Sequence, residues 1–247
     1  MKTLFVIGGV LLGLVIAALI GVGYFMGDAV KSGINRYGPK LTQAKVELAS
    51  AQLSPLSGSG TLTGLTVGNP AGWSDGRAFY LGKVQVDVEP MSVFGDHVVI
   101  NEIVIDAPEF NYETKIFSSN IKDLLKNIEE FTGSGQAVTA KSGHPVKFVV
   151  KKFRLTNGKA TVGLGANILT VTLPPISMDN LGAAEGGITA DQLAGAIMKQ
   201  VLGSIVSASA GALGQLGSAS GSMTVEQLKE AAKNAGDTIK KMFKEGK

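Results

Sequence analysis

The sequence predicts a mainly β protein with helices: an N-terminal transmembrane helix, then a curved, mostly antiparallel β-sheet, then a helical C-terminal part. The first supporting observation is an uncharged run over residues 3–27. The second is a series of segments between residues 45 and 173 in which polar and apolar residues alternate. The third is a pair of capping-box patterns, each followed by helical spacing, after residue 186.

These patterns divide the 247-residue chain into a transmembrane signal anchor at 1–27, a neck at 28–44, a β-sheet domain with one inserted helix at 45–180, and a helical region rich in Gly, Ala and Ser at 186–247. Composition excludes several classes. A chain with 45% hydrophobic and 17% charged residues is not disordered throughout. The absence of cysteine excludes disulfide scaffolds, thiolate metal sites and cysteine nucleophiles. A net charge of +3 gives no basis for nucleic-acid binding.

The first segment is predicted to be an uncleaved membrane anchor. Roughly 20 helical residues cross a hydrocarbon core, and residues 3–27 carry no charge. Tyr24 and Phe25 fall where interfacial aromatic side chains are expected. A cleaved signal peptide fits less well, because residues 23–26 lack a small-residue cleavage pattern. The flanking charges alone leave the orientation open.

Alternation with a period of two predicts the strands. The clearest is 83–89, in which Val84, Val86 and Val88 share one face. The other predicted strands are 45–54, 60–67, 97–106, 109–114, 146–156, 159–164 and 168–173. Asn157-Gly158 predicts a tight hairpin, because both residues tolerate positive φ. No strand is predicted after Pro174-Pro175.

Helical patterns interrupt and follow these strands. Ser118 or Ser119 is predicted to cap a helix whose apolar face comprises Ile121, Leu124, Leu125, Ile128 and Phe131. Residues 189–192 form a capping box before a second helix. The stretch 203–222 leaves two interpretations open, a weak helix or a flexible linker. A second capping box at 224–227 opens a basic amphipathic helix.

The apolar strand residues also leave two interpretations open. They form a core beneath the helices, or part of their face stays open as a groove for acyl chains. The candidate lipid-facing residues are Val84, Val86, Val88, Ile103, Ile105 and Val171. Trp73 is predicted to anchor a loop between strands, with an interfacial or ligand contact as the alternative.

The sequence gives no catalytic, cofactor-binding or metal-binding residues, and we expect a protein that is not an enzyme. His97 and His144 fit turn and strand-edge positions better than a metal site. Four carboxylates alternate with apolar residues, as on a solvated strand face: Glu102, Asp106, Glu109 and Glu113. No nucleophile elbow, zinc-protease or P-loop motif is present.

One stretch resembles a known family. Residues 60–70 read GTLTGLTVGNP, residues 98–108 read VVINEIVIDAP, and EFNYE and then NIKDLL follow. Together with the apolar segment at the start, this order resembles the N-terminal region of AsmA-like proteins. The resemblance covers about residues 1–130, and its motifs are structural rather than catalytic.

The resemblance implies a bacterial inner-membrane protein with a periplasmic body that shelters acyl chains and acts in phospholipid transport or outer-membrane maintenance. Its implied partners are the membrane, phospholipid, and other envelope proteins or further copies of itself. Family members that bridge the envelope are much longer, whereas eight or so strands span only roughly 35–40 Å. The alternative hypothesis is an adaptor that docks a larger envelope complex and binds no lipid.

Overall fold

The computed structural model describes residues 26–115, 118–133, 146–164 and 167–220. The helices are α1 (26–42), α2 (Asn120–Gly133) and α3 (Ala190–Ser220), and a 3-10 turn occupies Pro90–Phe94. The strands are β1 (Val46–Leu53), β2 (Ser59–Gly68), β3 (Arg77–Val88), β4 (Val98–Asp106), β5 (Glu109–Glu113), β6 (Lys147–Thr156), β7 (Lys159–Leu164), β8 (Asn167–Thr172), β9 (Ile176–Leu181) and β10 (Ile188–Thr189).

The strands form one 10-stranded sheet that is curved, open and mixed. Parallel ladders join β4 to β6 and β5 to β7, whereas the other ladders are antiparallel. The mixed pairing corrects the expectation of a mostly antiparallel sheet. It arises because the connection containing α2 returns the chain from the end of β5 to the start of β6, as a parallel crossover requires.

A line of irregular residues, which we call the bend line, crosses the sheet. Its members face one another on successive strands: Gly64, Gly82, 107–108, 157–158 and 173–175. Gly64, Ala107 and Asn157 have φ angles of 69°, 50° and 55°. One residue with left-handed backbone conformation reverses which side chains face the core, so the core-facing positions change from odd at the end of β4 (Ile103 and Ile105) to even in β5 (Phe110 and Tyr112).

The bend line divides the sheet into two halves. The proximal half contains β4, β6, β9, β10 and residues 50–53, 59–63 and 83–88; the distal half contains β5, β7, β8 and residues 46–48, 65–68 and 77–81. Backbone hydrogen bonds continue across the line. The Ala107 N–H donates to the Thr156 carbonyl over 2.9 Å, and the Lys159 N–H donates to the Pro108 carbonyl over 2.9 Å. Each pair such as β4 and β5 is therefore one long bent strand.

The predicted hairpin at Asn157-Gly158 is wrong, because β6 and β7 do not pair with each other. They follow one another along a single bent strand. Asn157 does adopt the predicted positive φ, but the chain bends there instead of reversing. Its amide donates to Asp106 Oδ1 over 2.7 Å, and the Thr156 hydroxyl donates to the same oxygen over 3.0 Å. These bonds from Asn157 and then Thr156 hold the pKa of Asp106 below its usual value.

The backbone requirement at the bend line can be tested at Asn157. We expect Asn157→Val to lower the free energy of unfolding by about 1–3 kcal/mol, because a β-branched residue is strained at positive φ. Asn157→Gly is the matched control, since glycine adopts this conformation freely and loses the same bond to Asp106. Chemical denaturation of the full chain in detergent micelles measures both. Equal stability of the two variants would show that backbone conformation is not what matters there.

Helix α1 occupies the position of the predicted neck and includes residues 26–27 of the predicted anchor. Gly38-Pro39 does not end it, and the Thr42 hydroxyl near its end donates to the Gly38 carbonyl over 2.9 Å. The other residues of the predicted anchor, Tyr24 and Phe25 among them, lie outside the described residues.

Helix α1 runs antiparallel along the edge strand β1. A Cβ on Gly27 would collide with the Ala51 carbonyl oxygen, so only glycine allows this close approach. Further along, the Leu48 N–H donates to Asn35 Oδ1 over 2.6 Å. The side chain of Asn35 thus satisfies a backbone group that an open sheet edge would leave unpaired.

The predicted face of α2 is confirmed. Ile121, Leu124, Leu125 and Ile128 are buried, and Phe131 is half-buried. Ser119 caps the helix, because its hydroxyl accepts the Lys122 N–H over 3.1 Å.

Strands β9 and β10 correct the expectation that strands end at Pro174-Pro175. Ile176 and Met178 point into the core while Ser177 and Asp179 are exposed, so the period-two pattern is present but lasts only four residues. Asn180, at a φ of 57°, then breaks it. Such a short pattern beside two prolines carries little signal.

Helix α3 runs without interruption to Ser220, so residues 203–220 are helical and the linker interpretation fails for them. The Thr189 N–H donates to Gln192 Oε1 over 2.9 Å, which confirms that part of the capping box. By length and composition, Ala190–Ala212 could cross a membrane. Here, however, Val201 and Ile205 are buried against the sheet, and Met198 and Leu202 pack in the cluster around α2. The basic helix predicted from residue 224 lies outside the described residues.

Candidate lipid-contacting surface

The six candidate lipid-facing residues separate into two groups. Val84, Ile105 and Val171 are buried in the core, whereas Val86, Val88 and Ile103 are half-buried. Five of them lie together on β3 and β4. Val84 is opposite Ile105, Val86 is opposite Ile103, and Val88 follows Val86 on β3. Val171 lies across the bend line in the distal half, beside Ala160.

The half-buried residues belong to an open strip on the proximal half, which comprises Leu53, Leu62, Val86, Val88 and Ile103. Gly60 lies at its centre. A Cβ there would fall 2.6 Å from a Leu53 methyl and 2.7 Å from a Val86 methyl, so glycine lets these side chains meet. Helix α3 packs mainly against α2, and on the sheet it contacts β6, β8, β9 and β10, while α2 also lies against β5. The strip on β1–β4 therefore stays outside the area that these two helices cover.

Four exposed apolar side chains continue from this strip at the end of the sheet. We call them the apolar tips: Leu56, Met91, Val93 and Phe94. Leu56 is 72% exposed, Met91 74% and Phe94 83%. Leu56 lies in the β1–β2 turn, and the other three lie in the 3-10 turn between β3 and β4. Exposed groups of large apolar side chains mark interaction sites on proteins.

The two tip-bearing loops are held by hydrogen bonds to the strand ends beside them. The Val88 N–H donates to the Gly58 carbonyl over 2.9 Å. Gly58 has a φ of 74°, and a Cβ there would collide with the Val88 carbonyl oxygen. The Ser92 hydroxyl donates to the Glu89 carbonyl over 2.6 Å and accepts the Val99 N–H over 2.9 Å. In the 3-10 turn a polar side chain thus faces inwards while its apolar neighbours face solvent.

The opposite end of the sheet carries a polar network around Asn120, which is fully buried. Its amide nitrogen donates to Asn69 Oδ1 and to the Asn111 carbonyl, each over 2.7 Å. Its amide oxygen accepts the Glu113 N–H over 3.0 Å. Glu113 in turn accepts the Ser74 hydroxyl and the Asn69 amide. Burial raises the pKa of Glu113, but these bonds, those from Ser74 foremost, outweigh it and leave the pKa below its usual value.

Trp73 anchors the loop at residues 69–76, as predicted, but onto α2. Its indole N–H donates to Asp123 Oδ2 over 2.8 Å, and the Lys115 ammonium lies 4.4 Å from its ring centroid. The network and Trp73 together fasten the β2–β3 loop to the start of α2. Each polar group in it has a structural partner, so we assign it a scaffolding role.

The remaining titratable candidates do not converge on a site. Glu109 pairs with Arg77 over 2.7 Å, Asp106 binds residues of the bend line, and Glu113 belongs to the polar network. Among the described residues, no three His, Asp or Glu side chains come together as metal ligands would. His97 is half-buried beside Gly187, and His144 lies outside the described residues.

Comparison with known proteins adds nothing to this geometry. No family model and no curated protein matches the chain. The resemblance to AsmA-like proteins therefore stays a prediction, and the surface described above is the basis for assigning a role.

Sequence reasoning missed the apolar tips. The available signal was the absence of charge in two loops: residues 53–62 read LSPLSGSGTL and residues 90–95 read PMSVFG. Loops of a soluble surface usually carry charged side chains. A search for uncharged loops that contain large apolar residues would have found both.

Proposed function

We propose that this chain is a non-enzymatic, AsmA-like protein, anchored in the bacterial inner membrane by the transmembrane helix predicted at 1–27, whose periplasmic sheet holds phospholipid acyl chains. The observation that carries the proposal is the open strip and its continuation into the apolar tips. The acyl chain is the ligand that this chemistry suits, because the strip offers aliphatic side chains and no charged group. The periplasmic side and the role in envelope lipid transport or maintenance come from the resemblance.

The small size of the open strip limits which part of lipid transport the sheet can perform. The open strip spans β1–β4 on the proximal half only, and helices cover much of the remaining apolar face. A sheet this small suits holding a lipid close to the membrane better than conducting it across the periplasm. Longer partners or further copies would be needed to extend the path.

The proposal is tested by placing a photo-crosslinking amino acid, p-benzoylphenylalanine, at Val86 in the full chain in cells labelled with radioactive phosphate. We expect a phospholipid adduct at Val86. The matched control is Gln85, the preceding residue, which is exposed on the other face of β3. Adducts at neither position, or equal adducts at both, would contradict lipid binding on the strip.

The alternative role, an adaptor that adds a partner strand to the sheet edge, has less support. On one edge, α1 lies along β1 and Asn35 occupies the Leu48 backbone groups. On the other edge, β8 and β9 are separated by Pro174-Pro175, and Asn180 near the end of β9 has a positive φ. Proline and a left-handed residue both interrupt the regular hydrogen bonding that strand addition needs.

A further inference from the structure

We propose that the apolar tips insert into the interface of the same bilayer that holds the predicted anchor, and so form a second attachment that fixes the sheet against the membrane. The inference rests on the proposed function in one respect, the N-terminal anchor, but it does not require that the strip binds lipid. It names the partner of the tips as a lipid surface.

The apolar tips lie at the end of the sheet where the described chain begins. Residue 26, in the last part of the uncharged run, begins the described chain, and Gly27 lies against Ala51 near the end of β1. Leu56 follows in the turn after β1, and Gly58 in that turn contacts Val88 and Pro90. The entry of α1, the β1–β2 turn and the 3-10 turn are therefore neighbours at one end of the sheet. A membrane that the chain leaves just before residue 26 would lie at the end that carries the tips.

The composition of the two tip-bearing loops suits a lipid interface. Both loops are free of charge over residues 53–62 and 90–95, and they contain Ser, Gly and Pro beside the apolar tips. Charged residues begin below them, where Glu89 pairs with Lys151 over 3.5 Å, and at Asp96. Burying apolar side chains among lipid headgroups and acyl chains is favourable, whereas burying a charge there is costly. The two loops meet both conditions, because they contain large apolar side chains and no charge.

Hydrogen bonds fix the conformation of the two tip-bearing loops. The bonds of Ser92 and of Gly58 hold the loops while Met91 and Phe94 face outwards. Ordered apolar tips need no rearrangement to enter an interface, so little conformational entropy is lost on binding. The other end of the sheet differs, because Asp75, Arg77 and Lys115 are exposed there. Among the described residues, the end that carries the tips is thus the one suited to lipid contact.

The chain contains no cysteine, so a single introduced thiol labels one site cleanly. We would attach an environment-sensitive fluorophore to Phe94→Cys in the full chain, reconstituted in phosphatidylethanolamine–phosphatidylglycerol vesicles with or without doxyl-labelled lipid. The matched control is Ala71→Cys, an exposed position in the loop at the opposite end. We expect blue-shifted emission and strong doxyl quenching at position 94, with neither at position 71.

Three outcomes would overturn the inference. A label at position 94 that stays in water while the chain remains in the vesicle fraction would overturn it alone and leave the anchor intact. Blue-shifted emission without doxyl quenching would mean that protein, such as a second copy of the chain, covers the tips. A chain that fails to enter vesicles at all would remove the anchor and this inference together. None of these results depends on crosslinking at Val86, so the lipid-binding proposal succeeds or fails separately.

Discussion

Phe153→Ala is expected to lower the free energy of unfolding by about 3–5 kcal/mol, the usual cost of truncating a fully buried phenylalanine. Phe153 is completely buried in β6, at the centre of the proximal half. It lies between Ile103 on β4 and Met178 on β9. The cavity left by truncation has strands on both sides, and their hydrogen bonds keep the walls from collapsing into it.

Thermal unfolding of the full chain in detergent micelles, followed by circular dichroism, measures this loss. Lys152→Ala is the matched control, because Lys152 is the preceding residue and its side chain is exposed. We expect the control to change stability by less than about 0.5 kcal/mol. A Phe153→Ala variant as stable as the control would mean that the proximal half is not packed around this side chain.

The prediction bears on function because the open strip is built on the same core. Ile103 belongs to the strip and is also the direct neighbour of Phe153. If truncation leaves a folded but loosened sheet, we expect weaker lipid crosslinking at Val86 as well, since Val86 pairs with Ile103. The core and the surface proposed to bind lipid are thus neighbouring parts of one face of the sheet.

Local patterns in the sequence predicted most elements, because the period-two and helical signals are each decided by neighbouring residues. The strand 83–89, the face of α2 and the bond from the Thr189 N–H to Gln192 follow from such patterns. The mixed pairing does not. Asn157-Gly158 has the composition of a hairpin turn, and only the distant partners β4, β5, β8 and β9 decide that the chain bends there instead.

The positions of the candidate lipid-facing residues were likewise predictable from the sequence only in part. Alternation placed Val84, Val86 and Val88 correctly on one face, but alternation carries no information on what lies over that face. Val84 is buried while Val86 and Val88 are half-buried, because coverage depends on where the helices cross the sheet. The apolar tips lie in loops, where no periodic signal exists, so only the structure shows that they gather at one end.

Asn120→Ala is expected to cost about 2–4 kcal/mol, because it leaves several partly buried polar groups without partners. The Asn111 carbonyl and Asn69 Oδ1 lose a donor, and the Glu113 N–H loses its acceptor. These groups are held too closely for water to replace all of the bonds. Lys126→Ala on the same helix is the control; its exposed ion pair with Glu130 is worth only about 0.3–0.5 kcal/mol.

The single tryptophan makes this prediction specific. Trp73 binds Asp123 at the start of α2, and its loop also holds Asn69, so its fluorescence reports on the attachment of that loop. We expect Asn120→Ala to shift Trp73 emission to the red at temperatures below the main unfolding transition, as the loop detaches first. Lys126→Ala should leave the emission unchanged until the whole chain unfolds.

A charged side chain at position 120 provides a second, independent test of the network. Asn120→Asp keeps the acceptor oxygens but replaces two donated bonds with a buried carboxylate facing Asn69 Oδ1 and the Asn111 carbonyl. Burial raises the pKa of such a group, so its ionised form is the destabilising one at neutral pH. The loss of stability should therefore shrink between pH 7 and pH 5, as the introduced carboxyl takes up a proton and can donate again. A pH-independent loss would mean that ionisation of the introduced carboxyl is not what destabilises the network.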